Sequence, residues 1–471
     1  MKLDDCVNLD DLRALARGWL PRLLFDYIDG GVEDEHGLAR NRAGWNAHQL
    51  VPRYLVDVSA TDQKVTLFGR EYNHPFGVAP MGGPGVFRRH ADLMMAEAAA
   101  AANIPYIQST LSNASVEEVV KVAPHNAWYQ LYGSRDRAIT LDMVRRARDA
   151  GVEVLVWSVD VPTWANRERN RRNRFNRRMP LTPALLAQVL PRPGWALDWL
   201  RHGGMPDSGN FRPYARAGAT PHEVADLFES QIPAQTQDWA LLDELRKLWP
   251  GALVIKGIMD PEDARRAAAG GADGVIVSNH GGRQLDKAPA TATMLPAISA
   301  AAGARLTVMI DSGIRRGSDL LVARCLGARA GFLGRPFMFG TVGGGPAGAR
   351  KVIQLLDTEL RLGLAQIGCP RYDDLDASFL AGSRMAWGRP PRPVRPVPQS
   401  GFPTPPAHQT HPTHPALPTF PFISTLDSTG DAPCKYALYP SSQPSVWPLA
   451  RPWRCLSPLA PPMPGRANRS R

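Results

Sequence analysis

Cysteine is scarce in this chain. Its five residues, Cys6, Cys325, Cys369, Cys434 and Cys455, are scattered, with no C-x-x-C pair and no metal-ligand spacing. That excludes a disulfide scaffold, gives no reason to expect a bound metal, and fits a reducing compartment. Long apolar runs are also missing: no stretch of about eighteen such residues exists, so no segment is long enough to span a bilayer. The first residues, Met1-Lys2-Leu3-Asp4-Asp5, lack the basic and apolar regions of a secretory signal, and a cytoplasmic protein is expected. The net charge of +11 is unevenly placed. Beyond Gly388 there is a surplus of roughly seven positive charges, which leaves roughly four for the rest. A basic surface for nucleic acid is therefore not expected.

What is present is a hydrophobic content of 44%, ample for a large core. The first ~45 residues read as helical, with apolar residues at helical spacing in Leu9–Ala16 and a second segment from Arg22 to Asp29, stopped by Gly30-Gly31. From Phe76 a rhythm begins. Apolar runs recur at Phe76–Ala79, Ile104–Gln108, Trp128–Leu131, Val152–Val159, Leu253–Lys256, Gly274–Val277, Leu306–Ile310 and Ala330–Leu333. Helical patterns separate most of them, at Asp92–Ala102, Ser115–Val122, Leu141–Ala150, Pro261–Ala269 and Ser318–Leu326. Eight strands alternating with helices predict an α/β protein, a closed (β/α)8 TIM barrel with N-terminal helices. A final helix is expected over Ala349–Ile367.

Barrel active sites lie at the carboxyl ends of the strands. The residues there are Pro80-Met81-Gly82, Ser109, Gln130 with Tyr132, Ser158 with Asp160 and Arg167, and Lys256. The later ends carry Ser278 with His280 and Arg283, then Asp311-Ser312-Gly313 with Arg315, and finally Gly334-Arg335. Polar residues at nearly every strand end are unexpected by chance. A base and a fixed cation three residues apart, His280 and Arg283, suit an anionic substrate that must lose a proton. The glycine–arginine pairs of the last two loops suit a phosphate; ordinary helix capping is the alternative.

Two stretches break the rhythm. The connection after the fourth strand, about 165–250, is far too long for a plain crossover. Within it, residues 177–215 combine basic residues with Trp195, Leu197, Trp199 and Leu200, which suits a membrane-surface contact. A lid over the barrel or a subunit contact would use the same composition. After Trp387 the character changes: roughly half of the 44 prolines fall in the last stretch, with no periodicity. We therefore expect a barrel domain over 1–387 and a disordered, proline-rich tail over 388–471.

Ser278-Asn279-His280-Gly281-Gly282-Arg283-Gln284-Leu285-Asp286 resembles the signature of the FMN-dependent L-2-hydroxy acid oxidases and dehydrogenases. Val254-Ile255-Lys256-Gly257, Tyr129-Gln130-Leu131-Tyr132, Asp311-Ser312-Gly313-Ile314-Arg315 and Leu333-Gly334-Arg335-Pro336 add to it. Asp26-Tyr27-Ile28-Asp29-Gly30-Gly31 and Leu197-Asp198-Trp199-Leu200-Arg201-His202-Gly203-Gly204 are similar to the membrane-associated (S)-mandelate dehydrogenases. The resemblance ends near residue 382.

The resemblance implies FMN as cofactor and oxidation of an L-2-hydroxy acid to a 2-oxo acid. It makes His280 the general base and Asp160 its orienting partner. Arg283, Arg167 and Tyr27 hold the substrate carboxylate, and Tyr132 holds its hydroxyl. Lys256 becomes the cation beside the flavin pyrimidine edge. Pro80, Met81, Gly82, Ser109, Gln130, Ser158 and Ser278 would meet the isoalloxazine and ribityl. Asp311, Ser312, Gly313, Arg315, Gly334 and Arg335 would meet the ribityl and phosphate. It further implies a homo-oligomer, a tetramer, peripheral on the inner face of the cell membrane with a quinone acceptor. Met81 departs from the usual threonine, and Gly82 is small where many oxidases carry alanine. Leu111 and Trp164 stand where pocket residues are expected. The competing readings are an oxidase that yields hydrogen peroxide and a non-catalytic flavin-binding adaptor.

Overall fold

The structure is a computed structural model that describes residues 1–175 and 182–382. The expected proline-rich tail, and the part of the basic run over 176–181, lie outside the described residues.

A short antiparallel hairpin, β1 (Val65–Leu67) and β2 (Arg70–Tyr72), precedes the barrel. The barrel strands follow as β3 (Phe76–Val78), β4 (Tyr106–Ser109), β5 (Ala127–Leu131) and β6 (Val154–Ser158). They continue as β7 (Ala252–Ile258), β8 (Gly274–Val277), β9 (Thr307–Asp311) and β10 (Gly331–Leu333). All eight pair in parallel and in sequence order, and β10 closes on β3 with Phe332 opposite Gly77. Each expected strand is present within a few residues.

These strands are mostly apolar, with polar residues toward their carboxyl ends, because both faces are covered. One face packs on the helices. The other fills the barrel with Ile107, Trp128, Val156, Val254, Ile276, Met309 and Phe332. The hairpin plugs the amino-terminal end: Val65, Leu67 and Tyr72 belong to this inner core, and Trp128 Nε1 donates to the Tyr72 hydroxyl at 3.1 Å. The bottom is sealed and the top is left open, which places the site.

The helices begin where side chains satisfy their free N–H groups. Ser115 and Glu118 form a capping box, and Asp136, Asp238 and Asp260 accept from N–H groups of their first turns. The expected last helix is the second of two helical stretches within Arg335–Gln366, which meet at a kink where Gly345, at φ +61°, precedes Pro346. Proline and a left-handed glycine interrupt the period, which hid the first half from a sequence reading. Helix His36–Asn46 falls within the N-terminal region read as helical, whereas Thr291–Ala302, which is alanine-rich, largely apolar and contains Pro296, escaped the reading.

Among the described residues, the long connection after β6 contains five α-helices, Glu168–Arg172, Pro183–Val189, Pro193–Arg201, Pro221–Gln231 and Trp239–Leu248. The last supplies the ordinary crossover, burying Leu241, Leu242 and Leu245. Pro183–Val189 and Pro193–Arg201 pack together and leave Leu186, Leu190, Leu197 and Leu200 exposed. Among the described residues no helix is long and apolar enough to cross a membrane.

Candidate active site

The loops after the barrel strands surround a cleft of about 1670 Å³, open mouth included. Tyr27, Met81, Gly82, Tyr132, Arg167, Lys256, His280, Arg283, Asp311, Ser312, Arg315 and Arg335 all line it, as do Pro80, Gly313 and Gly334. Ser109, Gln130, Ser158 and Ser278 lie buried at the ends of, or just after, their strands beneath it, and Asp160 stands behind His280. Residues over three hundred positions apart in sequence thus share one site.

The loop after β8 is built for the base. His280, Gly281 and Gly282 have φ values of +56°, +66° and +69°. Three consecutive left-handed residues are easy only for glycine, so His280 is held there by its surroundings. Its backbone N–H donates to Ser278 Oγ at 3.1 Å, and Gly281 N donates to Ser312 Oγ at 2.9 Å. Asn279 exchanges two hydrogen bonds with Asn41 at 2.9 and 2.7 Å, and Asp286 accepts from Gly37 N at 2.7 Å. Both partners lie on the N-terminal helix His36–Asn46, far from this loop in sequence, so their pairing with it carried no local signal.

The ring is equally fixed. His280 Nδ1 lies 3.0 Å from Asp160 Oδ1. With Nδ1 donating to the carboxylate, Nε2 faces the cleft as the acceptor, and the Tyr132 hydroxyl lies 3.4 Å from it. Burial pushes the imidazole pKa below its usual value of 6.5, against the pull of Asp160. Burial alone would raise the Asp160 carboxyl, but Lys256 and His280 outweigh it and hold the group far below the carboxylate range. Gly257, at φ +109°, makes the pair possible: a Cβ there would sit 2.6 Å from Asp160 Cβ.

Lys256 is sunk among acceptors. Its Nζ contacts Ser278 Oγ at 2.9 Å, Asp311 Oδ2 at 3.2 Å and Asp160 Oδ2 at 3.5 Å. Burial disfavours its charge, yet the two carboxylates raise its pKa above the ordinary lysine value. Across the cleft the cations crowd. Burial and neighbouring Arg167 lower Arg283 to about 9, and burial with Arg42 lowers Arg315 to about 10. Arg283 Nη1 donates to the carbonyls of Tyr27 and Gly30 at 2.8 and 2.9 Å, and its guanidinium lies 5.1 Å from the Tyr27 ring centroid. Arg335 donates to the carbonyls of Ile28, Gly30 and Gly281, which uses three of its five N–H groups.

This arrangement fits FMN on its own chemistry. Both amide atoms of buried Gln130 and the hydroxyl of buried Ser158 have no hydrogen-bond partner within the protein. Buried polar atoms of that kind call for a ligand with polar edges. Crowded buried arginines call for anions, and a carboxylate and a phosphate both qualify. A Cβ on Gly82 would meet Leu111 Cβ at 3.2 Å, so the floor there is flat and tight.

The outer wall was not legible from sequence. Phe175, Met205, Phe228 and Ile232, all from the long connection, line the cleft beside Val86 and Phe87. Phe175 stacks on Tyr27 at 4.7 Å between centroids. Trp164 lines the same cleft and is 47% exposed, while Leu111 lies partly buried beside Gly82.

Comparison with known proteins agrees with this geometry. Residues 16–382 match the model of the FMN-dependent dehydrogenase family. An L-lactate dehydrogenase of Caulobacter sp. (strain K31) is 39% identical over 371 residues, covering 79% of this chain and 97% of that relative. An (S)-mandelate dehydrogenase of Pseudomonas putida is 39% identical over 373 residues, covering 79% and 93%. The crystal structure of a monotopic membrane protein, (S)-mandelate dehydrogenase, superposes with a TM-score of 0.77 at 38% identity, covering 80% of this chain and 99% of its own. The crystal structure of a mandelate oxidase gives 0.68 at 36% identity, covering 80% and 98%. The chain belongs to the FMN-dependent dehydrogenases.

Proposed function

We propose that the protein oxidises an L-2-hydroxy acid, lactate-like or mandelate-like, to the corresponding 2-oxo acid. The observation that carries this reading is the His280–Asp160 pair facing Arg283 and Arg167 across one cleft. A 2-hydroxy acid has a carboxylate for the arginines and a proton for the base. Arg283 and Arg167 would fix the carboxylate, with Tyr27 beside them. Tyr132 would hold the hydroxyl near His280 Nε2. That nitrogen takes the proton, and Asp160 stabilises the imidazolium it becomes. FMN, when bound, would supply the acceptor for the two electrons and the second proton that the substrate loses. Gln130, Ser158, Ser109, Ser278 and Lys256 would hold its ring and Asp311, Arg315 and Gly334 its ribityl phosphate, with Lys256 offsetting negative charge on the ring.

Anaerobic addition of a panel of 2-hydroxy acids tests the reading. Bleaching of the flavin absorbance by at least one L-isomer is expected; no bleaching by any of them would overturn it.

We propose a membrane quinone as the electron acceptor, a reading the surface supports. Leu190 and Leu200 are 78% and 74% exposed on neighbouring helices, which suits seating on the cytoplasmic face of a membrane and delivery to a quinone. A homo-oligomer, as in the resemblance, would share that seating. The similarity to a mandelate oxidase supports a second reading, in which oxygen is the acceptor. Rapid peroxide formation in air would establish the oxidase and sink the dehydrogenase.

A further inference from the structure

One side chain lining the cleft links the loop after β3 to the long connection. Asn113 follows β4 by four residues. Its Oδ1 accepts from Gly85 N at 2.8 Å, and its Nδ2 donates to the Asp207 carbonyl at 2.7 Å. Its backbone carbonyl accepts from Gly209 N at 3.1 Å, and its own N–H donates to buried Asp92 at 3.2 Å. The first partner lies in the loop after β3, beside Gly82. The second and third lie in the long connection, next to Met205 and Ser208, which line the cleft. Two residues before Asn113 is Leu111, whose carbonyl accepts from Gly83 N at 2.8 Å.

We infer that Asn113 is a positioning residue that sets the pocket wall made by Leu111, Gly82 and Met205, and so decides which 2-hydroxy acid side chains fit. The inference rests on the reading of the substrate as a 2-hydroxy acid. Both polar atoms of the side chain are engaged by backbone groups, so it acts on the substrate through its neighbours. A side-chain amide suits this position, because one end must accept from an N–H and the other must donate to a carbonyl. Leucine, alanine or a carboxylate each fails at one end or both. Leu111 and Met205 present apolar side chains to the cleft, whereas carboxylate binding and proton transfer fall to the arginines and His280 in the proposed function. The wall therefore governs side-chain size, not carboxylate binding or proton transfer.

The test uses the FMN-loaded full chain and two variants, Asn113→Ala and Asn113→Asp. Asn113→Asp is nearly isosteric and keeps the acceptor for Gly85, so it decides the matter where Asn113→Ala does not retain flavin. The readout is kcat/KM for lactate against mandelate, with the anaerobic bleaching rate measured for each. The ratio is expected to change by about ten-fold or more, the scale of a misfit of one or two methylenes, chiefly through KM. A ratio held within about two-fold, or an equal loss for both acids, would overturn the inference. Bleaching of the unaltered protein by no acid of the 2-hydroxy acid panel would instead be a failure of the functional reading.

Discussion

At the scale of single residues, the site depends on charges that cancel only together. Lys256 stands between Asp160 and Asp311 with almost no exposure. Lys256→Met should leave two carboxylates buried without a cation, at a cost of about 3–5 kcal/mol, read as a lower Tm and weaker flavin retention. His280→Ala should slow anaerobic bleaching by about a hundred-fold to ten-thousand-fold while the flavin stays bound. The pH dependence follows from the depressed His280 pKa. The neutral ring is the form that accepts a proton. As pH falls through its folded-state value the base becomes charged and kcat/KM drops. The acid limb of kcat/KM is therefore expected to have its midpoint below the ordinary histidine value of 6.5. A midpoint above it would show that Asp160 outweighs burial. His280, Arg283 and Lys256 were readable because each stands at the end of an apolar run. Asn41 and Asn113 were not, because their partners lie far off in sequence and ordinary helix and loop residues surround them.

At the scale of elements, stability and chemistry occupy opposite ends of the barrel. Trp128 packs against Phe68, Tyr72 and Phe332 at the plugged end. Trp128→Ala should cost about 3–5 kcal/mol of unfolding free energy, yet leave the 2-hydroxy acid selectivity of the folded fraction unchanged. Denaturant titration and the bleaching panel would show both. The helices Pro183–Val189 and Pro193–Arg201 answer to a different test. Leu190→Asp with Leu200→Asp should reduce co-sedimentation with anionic vesicles without altering bleaching by substrate. Unchanged co-sedimentation would remove these helices as the contact. The strands were legible because burial on both faces leaves an unbroken apolar run. The hairpin Val65–Tyr72 was not: three-residue strands with one wet face carry too little pattern.

At the scale of the whole molecule, the family match runs to residue 382, past the last barrel strand at Leu333 and the helix that closes at Gln366. A chain cut after Gly382 is expected to retain flavin and substrate bleaching, and loss of either would assign the tail a part in the fold. The architecture was legible because eight regular repeats outvote local ambiguity. The outer wall of the cleft was not, since it comes from a connection with no repeat of its own. The barrel also reaches backwards. The carbonyls of Tyr27, Ile28 and Gly30, at the close of an early helix, are held by Arg283 and Arg335. A chain made from its amino terminus exposes those carbonyls long before either arginine exists. The substrate pocket is therefore among the last parts of the protein to be completed on the ribosome. Fragments released early would carry most of the barrel but could not bind the hydroxy acid.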